Sequence, residues 1–200
     1  MNVYVETNFV LELVFQQEQH VVCEAILQFC ENSKAKLIIP AYCLAEPHEK
    51  LVRQNSRRKE LQNMLNVEFR QLARTSSYTT RISNIQDIAS LLVQSNEEEL
   101  QRFEYYHGRL LKISEIIPLT AYILRIAAQN KSLYGLTPQD AIVYTSVVSH
   151  LQQQAPVTSC FLNKNSKDFD NPDIVNELSK NSCFMIPKFE QGYQFIQTHS

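Results

Sequence analysis

Glycine is scarce, with 3 residues in 200, and proline occurs only 7 times, which excludes collagen-like, low-complexity and tail-dominated chains. No CxxC pair and no Cys/His cluster with zinc spacing occurs, since His20, His48, His107, His150 and His199 are scattered. No apolar stretch reaches the length of a signal peptide core or a membrane span, so neither secretion nor membrane insertion is expected. Charge of one sign is missing too: the formal net charge is -2, and any grip on nucleic acid must come from a local patch. What is present is a 44% apolar composition, enough to bury a full core in one domain or in one domain with an insertion. The five cysteines, Cys23, Cys30, Cys43, Cys160 and Cys183, are odd in number and sit mostly among apolar neighbours, as reduced core cysteines do, which points to the cytoplasm.

The chain alternates short β-branched runs with helical periodicity. Val3-Tyr4-Val5 reads as a strand, interrupted by Glu6-Thr7-Asn8, and a single helix is expected over Val10 to Glu31. Lys36 to Ile39, closed by Pro40, is a second strand, and helix follows from Ala41, with Pro47 forcing a kink or a fresh first turn. Ile113 to Leu119 holds a third short strand, and Thr120 caps the helix after it. Thr137-Pro138-Gln139-Asp140 carries a cap, a proline at the first helical position and an acid at the third. Val157 to Leu162 and Ser182 to Ile186 complete about five strands, with a helix opened by Asn171-Pro172 between them. Alternation of this kind implies an α/β fold, a three-layer sandwich around a mostly parallel sheet.

Residues 51–112 interrupt that rhythm. They contain no proline, one glycine, and apolar residues at helical spacing, so they read as an enlarged helical section within a single domain spanning 1–200. Between residues 49 and 81, Lys50, Arg53, Arg57, Arg58, Lys59, Arg70, Arg74 and Arg81 stand against Glu49, Glu60 and Glu68, a local positive excess. Such a face is either simply solvated or a phosphate-contacting surface, with Arg53, Arg57, Arg58 and Lys59 the candidates for contact.

Four acids fall in comparable places. Glu6 follows the first strand, Glu46 lies in the helix after the second, Asp140 is in a first helical turn, and Asp168 follows the fourth strand. Each has a bland reading as a helix cap or as compensation of a helix dipole. Brought together at one end of a parallel sheet, four carboxylates would repel, and a divalent cation such as Mg2+ relieves that repulsion. Such a site suits metal-assisted hydrolysis of a phosphodiester.

In order, VYVETNFVLEL, IPAYCLAEPHEK, LTPQDAIVYTSVVSHL and FLNKNSKDF resemble the PIN domain, a metal-dependent nuclease domain also found in bacterial toxin-antitoxin systems. The resemblance covers nearly the whole chain except the helical middle. It implies an endoribonuclease (a hydrolase) using Mg2+ or Mn2+, with Glu6, Glu46, Asp140 and Asp168 as metal-binding and catalytic acids supported by Thr7, Asn8 and Asn165. RNA is the implied substrate, and an antitoxin-like inhibitor and a homodimer are the implied partners. Two departures from the family pattern stand out. The first acid is usually Asp, and Glu6 carries its carboxylate about 1.5 Å further out, one C–C bond. The fourth position is usually an acid where this chain has Asn165, a neutral amide, so that Asp168 would have to take over. Those departures raise a competing expectation, a catalytically weakened PIN-like module that binds RNA or protein. A third is a structural α/β protein whose acids are all caps.

Overall fold

The computed structural model describes residues 1–155, 157–164, 169 and 171–200, and of residues 79–81 and 83–89 the backbone alone, Ile82 between them being described in full. The chain divides into two compact units, one formed by Met1–Pro47 with Tyr106–Ser200 and the other by His48–Tyr105.

The first unit is built on a five-stranded sheet of β1 (Asn2–Val5), β2 (Lys36–Pro40), β3 (Glu115–Ile117), β4 (Ser159–Leu162) and β5 (Cys183–Ile186). Its order is β3-β2-β1-β4-β5 and every pairing is parallel, as the alternation of strand and helix signals leads one to expect. Strands buried on both faces need apolar residues at every position rather than at alternate ones. Val3, Tyr4 and Val5 in β1 and Cys160, Phe161 and Leu162 in β4 are all at 0% exposure. Crossovers between parallel strands are right-handed, so connections that run in opposite directions along the sheet cover opposite faces. The helices α1 (Thr7–Phe15) and α2 (His20–Glu31) precede β2, while α5 (Ala121–Tyr134) and α6 (Pro138–Gln153) precede β4. The last two helices are α7 (Pro172–Lys180) and α8 (Phe189–His199). Edge-on aromatic pairs lock each face: Phe9 with Phe189 and Phe29 with Tyr193 on one, Phe161 with Phe169 and Tyr134 with Tyr144 on the other. This is the three-layer α/β sandwich.

One expected element divides. The helix anticipated over Val10 to Glu31 is two helices, because Gln16 takes the left-handed conformation (φ 50°, ψ 47°) and ends α1. Neither glycine nor proline marks the break. Its organiser is the Glu12 side chain, whose Oε2 accepts the N–H of Gln19 at 2.9 Å and so supplies a partner for a backbone donor in the turn. All five cysteines are free and buried, as expected, and burial pushes the Cys30 and Cys183 thiols up to about 12.

The second unit comprises the later part of α3 (Ala41–Leu72) and most of α4 (Thr79–Ile113). Helix α3 continues through Pro47, which removes the bond its N–H would make to the preceding turn. Phe69 and Ile82 form a small core with Leu65, and His48 lies against Phe103 with ring centroids 5.6 Å apart. Arg58 forks onto Glu99 with Nη1 to Oε2 at 2.8 Å and Nη2 to Oε1 at 3.0 Å. Its Nη1 also donates to Asn96 Oδ1 at 2.8 Å, and Asn96 Nδ2 donates to Asn55 Oδ1 at 3.0 Å. The polar groups buried between these helices are thus paired with one another, the condition under which a buried polar network is tolerated. Among the described residues no helix is long and apolar enough to cross a membrane.

Candidate active site

In an open parallel sheet, ligands collect outside the carboxyl ends of the strands where successive connections leave in opposite directions. Here the chain runs outward from β1 through β2 to β3, then returns to the other side of β1 with β4 and β5. The crevice therefore opens at the ends of β1 and β4, whose register pairs Val5 with Leu162. The next residue after Val5 is Glu6.

Glu6 is the N-cap of α1, with extended backbone (φ -120°, ψ -177°) and its side chain folded back onto the helix start. Oε2 accepts the N–H of Asn8 at 2.9 Å, and Oε1 accepts the N–H of Lys164, which follows β4, at 3.4 Å. Each oxygen thus has one peptide donor, and the Asn8 side chain is a further donor to the carboxyl. The carboxyl is only 7% exposed. Loss of solvent raises it to about 7, against the pull of those backbone donors, and the nearby charge of Asp140 adds to the rise. Among the described residues no cationic side chain is paired with Glu6.

Thr7, also buried, donates its hydroxyl to Glu46 Oε2 at 2.5 Å, which ties the start of α1 to the second acid, on α3 just before Pro47. Asp140 stands three residues after the Thr137 cap at the start of α6, as the sequence spacing leads one to expect. Its N–H donates to Thr137 Oγ1 at 3.2 Å, and Thr137 Oγ1 donates to Asp140 Oδ2 at 2.5 Å. Glu6, Thr7, Asn8, Glu46 and Asp140 all belong to the sheet unit. Asn165 and Asp168, read from the sequence as the remaining members, lie outside the described residues. Of the four basic candidates, Arg53, Arg57 and Lys59 are exposed, whereas Arg58 turns inward to Glu99 and Asn96. A guanidinium forked onto a buried carboxylate in this way has its best donors already engaged.

No three His, Cys, Asp or Glu side chains among the described residues close into a ready-made cation cage. The donors nevertheless suit a hard divalent ion. They are oxygen only, and one of them, Glu6, is a desolvated carboxyl whose charged form would be favoured by a cation beside it. Magnesium and manganese characteristically take one or two direct carboxylates and keep waters for the rest.

Two further residues belong to this region that patterning did not single out. Glu12, at 1% exposure, receives the Lys164 ammonium on Oε1 at 2.5 Å. That contact raises the Lys164 ammonium above its ordinary range. The available signal was a lone acid inside Phe9-Val10-Leu11-Glu12-Leu13-Val14, since a charge in the middle of an apolar run is buried only when something pairs with it.

Comparison with known proteins follows the same lines. The family model for the PIN domain matches residues 3–169. No curated protein matches the chain. Among solved structures, the chain is similar to the crystal structure of VapBC2 from Rickettsia felis bound to a DNA fragment from their promoter, with 12% identity, a TM-score of 0.42, and 93% of this chain and 98% of that chain covered. Members of the PIN family are generally nucleases that use divalent metal ions. With the family model spanning most of its length over a parallel α/β sandwich, this chain belongs to the PIN domain family, a nuclease-type module.

Proposed function

We propose that the protein is a Mg2+- or Mn2+-dependent endoribonuclease whose site lies at the carboxyl ends of β1 and β4. The observation that carries this reading is Glu6: a buried carboxyl at the switch point of the sheet, oriented by two peptide N–H groups and raised to about 7 by desolvation, with Asp140 adding its charge. A carboxyl in that condition is poised to gain from a divalent cation.

Glu6, Glu46, Asp140 and Asp168 would hold the ion or the waters around it. Thr7 fixes Glu46 through its hydroxyl, Asn8 fixes Glu6 through its N–H, and Asn165 offers an amide able to accept a bond or orient a water. When bound, the ion supplies charge compensation for the phosphodiester as attack proceeds and makes attacking water more acidic. The chain's own contribution is positioning: it holds carboxylate oxygens in a low-dielectric recess where opposite charge is attracted strongly. The helical unit would be an insertion in the PIN-like domain. Its exposed Arg53, Arg57 and Lys59 would contact phosphates without reading sequence, making RNA binding salt-sensitive. An antitoxin-like inhibitor and a homodimer are the partners this reading carries, with action in the cytoplasm.

The test is cleavage of RNA by the purified protein in Mg2+ or Mn2+ against EDTA. Cutting should require the metal, and Asp140→Asn should reduce it at least about 100-fold, the scale on which loss of one electrostatic stabiliser acts. Equal cleavage by the variant would trace the activity to a contaminant. The neutral amide of Asn165 at a usual acid position favours a second reading, a weakened module that binds RNA without cutting it. Calorimetry separates the two: no Mn2+ binding together with salt-sensitive RNA binding supports the second.

A further inference from the structure

Glu12, which is buried, and Lys164, whose side chain is 37% exposed, form an ion pair that the proposed chemistry does not use. Glu12 lies in α1, where Phe9, Val10, Leu11, Leu13 and Val14 are also buried. Both of its oxygens are engaged, Oε2 by the Gln19 N–H at 2.9 Å and Oε1 by the Lys164 ammonium at 2.5 Å. Taking a carboxylate to 1% exposure costs more than burying an apolar side chain of similar size, so an ion pair there is not explained by stability alone. What such a pair supplies is a fixed distance between two pieces of chain.

The two pieces are α1 and the exit of β4. Lys164 stands two residues beyond Leu162, whose register partner is Val5. Its side chain runs to Glu12 while its own N–H reaches Glu6 Oε1 at 3.4 Å. One residue therefore bridges two acids, the first acid of the site and an acid in the helix that Glu6 caps. With Asn8 N–H holding Oε2, the Lys164 N–H is the second of two backbone donors that set the plane of the Glu6 carboxyl.

We propose that the Glu12–Lys164 pair is a strut that seats the Lys164 N–H on Glu6 and so sets the orientation of the first acid. Both are positioning residues. The inference rests on the reading of Glu6 as part of a cation site, and its test has one arm that does not depend on metal. In the metal-free full chain, backbone amide exchange at residue 164 is followed by NMR in the wild type, in Lys164→Arg and in the double variant Glu12→Gln/Lys164→Met, which removes both charges and leaves neither orphaned. Exchange at 164 should accelerate about tenfold or more in the double variant, while the amides of Val5 and Leu162 keep their protection, as local opening rather than global unfolding requires. Lys164→Arg, which keeps the cation, should stay close to wild type. Lys164→Gln is the second variant should the double variant fail to fold, and it should raise exchange at 164 in the same way. Unchanged exchange at 164 overturns the strut.

The second arm is titration with Mn2+ by calorimetry. The double variant should bind about tenfold more weakly, a difference of about 1.4 kcal/mol, with Lys164→Arg restoring the affinity. Equal affinity in all variants of a wild type that does bind overturns the effect on the site. No binding by the wild type overturns the cation reading of Glu6, and the exchange arm then decides the strut by itself.

Discussion

Glu99 in the helical unit and Glu6 in the sheet unit are buried to the same extent, each 7% exposed. Glu99 is gripped by both terminal nitrogens of Arg58 and lies in a network that includes Asn96 and Asn55. Glu6 has two peptide N–H groups and, among the described residues, no cationic side chain. The first arrangement satisfies itself and asks nothing of solvent or ligand. The second leaves a desolvated carboxyl whose ionisation costs free energy until a cation arrives. Equal burial thus marks opposite roles, and the partner rather than the depth tells them apart.

The sharpest way to break this comparison is to remove one partner. Arg58→Met leaves Glu99 buried without its counter-charge, and denaturant unfolding should show a loss of about 3 kcal/mol confined to the helical unit, toward the lower end for a broken pair because Arg58 is partly exposed. Adding Glu99→Gln should recover most of it, and protection of amides in β1 and β4 should not change. If Arg58→Met costs nothing, the network is decoration rather than support.

A somewhat smaller effect is expected from Glu6→Gln in metal-free protein. The folded carboxyl titrates near 7 against an ordinary value of 4.5, so the folded state binds the proton more tightly than the unfolded one. Its stabilising contribution is complete below about 4.5 and is lost as pH rises through about 7. Between pH 5 and pH 8 the wild type should therefore lose about 2 kcal/mol more than the Gln variant, measured by thermal or urea unfolding. Mn2+ at pH 8 should raise the melting temperature of the wild type and leave that of the variant alone. A pH profile identical in both proteins would remove Glu6 from the role given to it.

The smallest effect concerns the floor under β4. A Cβ built at Gly192 meets Leu162 Cδ2 at 2.5 Å, and Leu162 is the last residue of β4 before Asn163 and Lys164. The clash is with the end of a flexible side chain, so Gly192→Ala should cost about 1 kcal/mol of stability through repacking. A chemical-shift change at the Lys164 amide would show that the packing of Leu162 reaches the site.

The fold was legible because its signals are local. Thr120, Thr137 with Asp140, and Asn171 cap their helices through the hydrogen bonds their spacing implies, and Pro138 and Pro172 sit at helix starts. β1 and β2 stand out as compact apolar runs ended by Glu6 and Pro40. What sequence patterning misses depends on contacts between distant residues. The break at Gln16 carries no glycine or proline and is organised by Glu12, whose other partner Lys164 is 152 positions away. Arg58 looks like any other base on a helix until Glu99, 41 positions on, is placed against it. The same holds for Glu6, where the chain suggests an acid at a strand end and only the packing reveals how completely water is removed from it.

The cysteines offer a use of their own. Cys23 and Cys30 lie in α2, Cys43 in α3 ahead of Pro47, Cys160 in β4 and Cys183 in β5, so every one is in the sheet unit and none lies between His48 and Tyr105. Their burial and suppressed ionisation keep them unreactive toward thiol reagents while that unit is closed. Alkylation kinetics of the unmodified protein therefore form a built-in clock for opening of the sheet unit, deaf to fraying of the helical one.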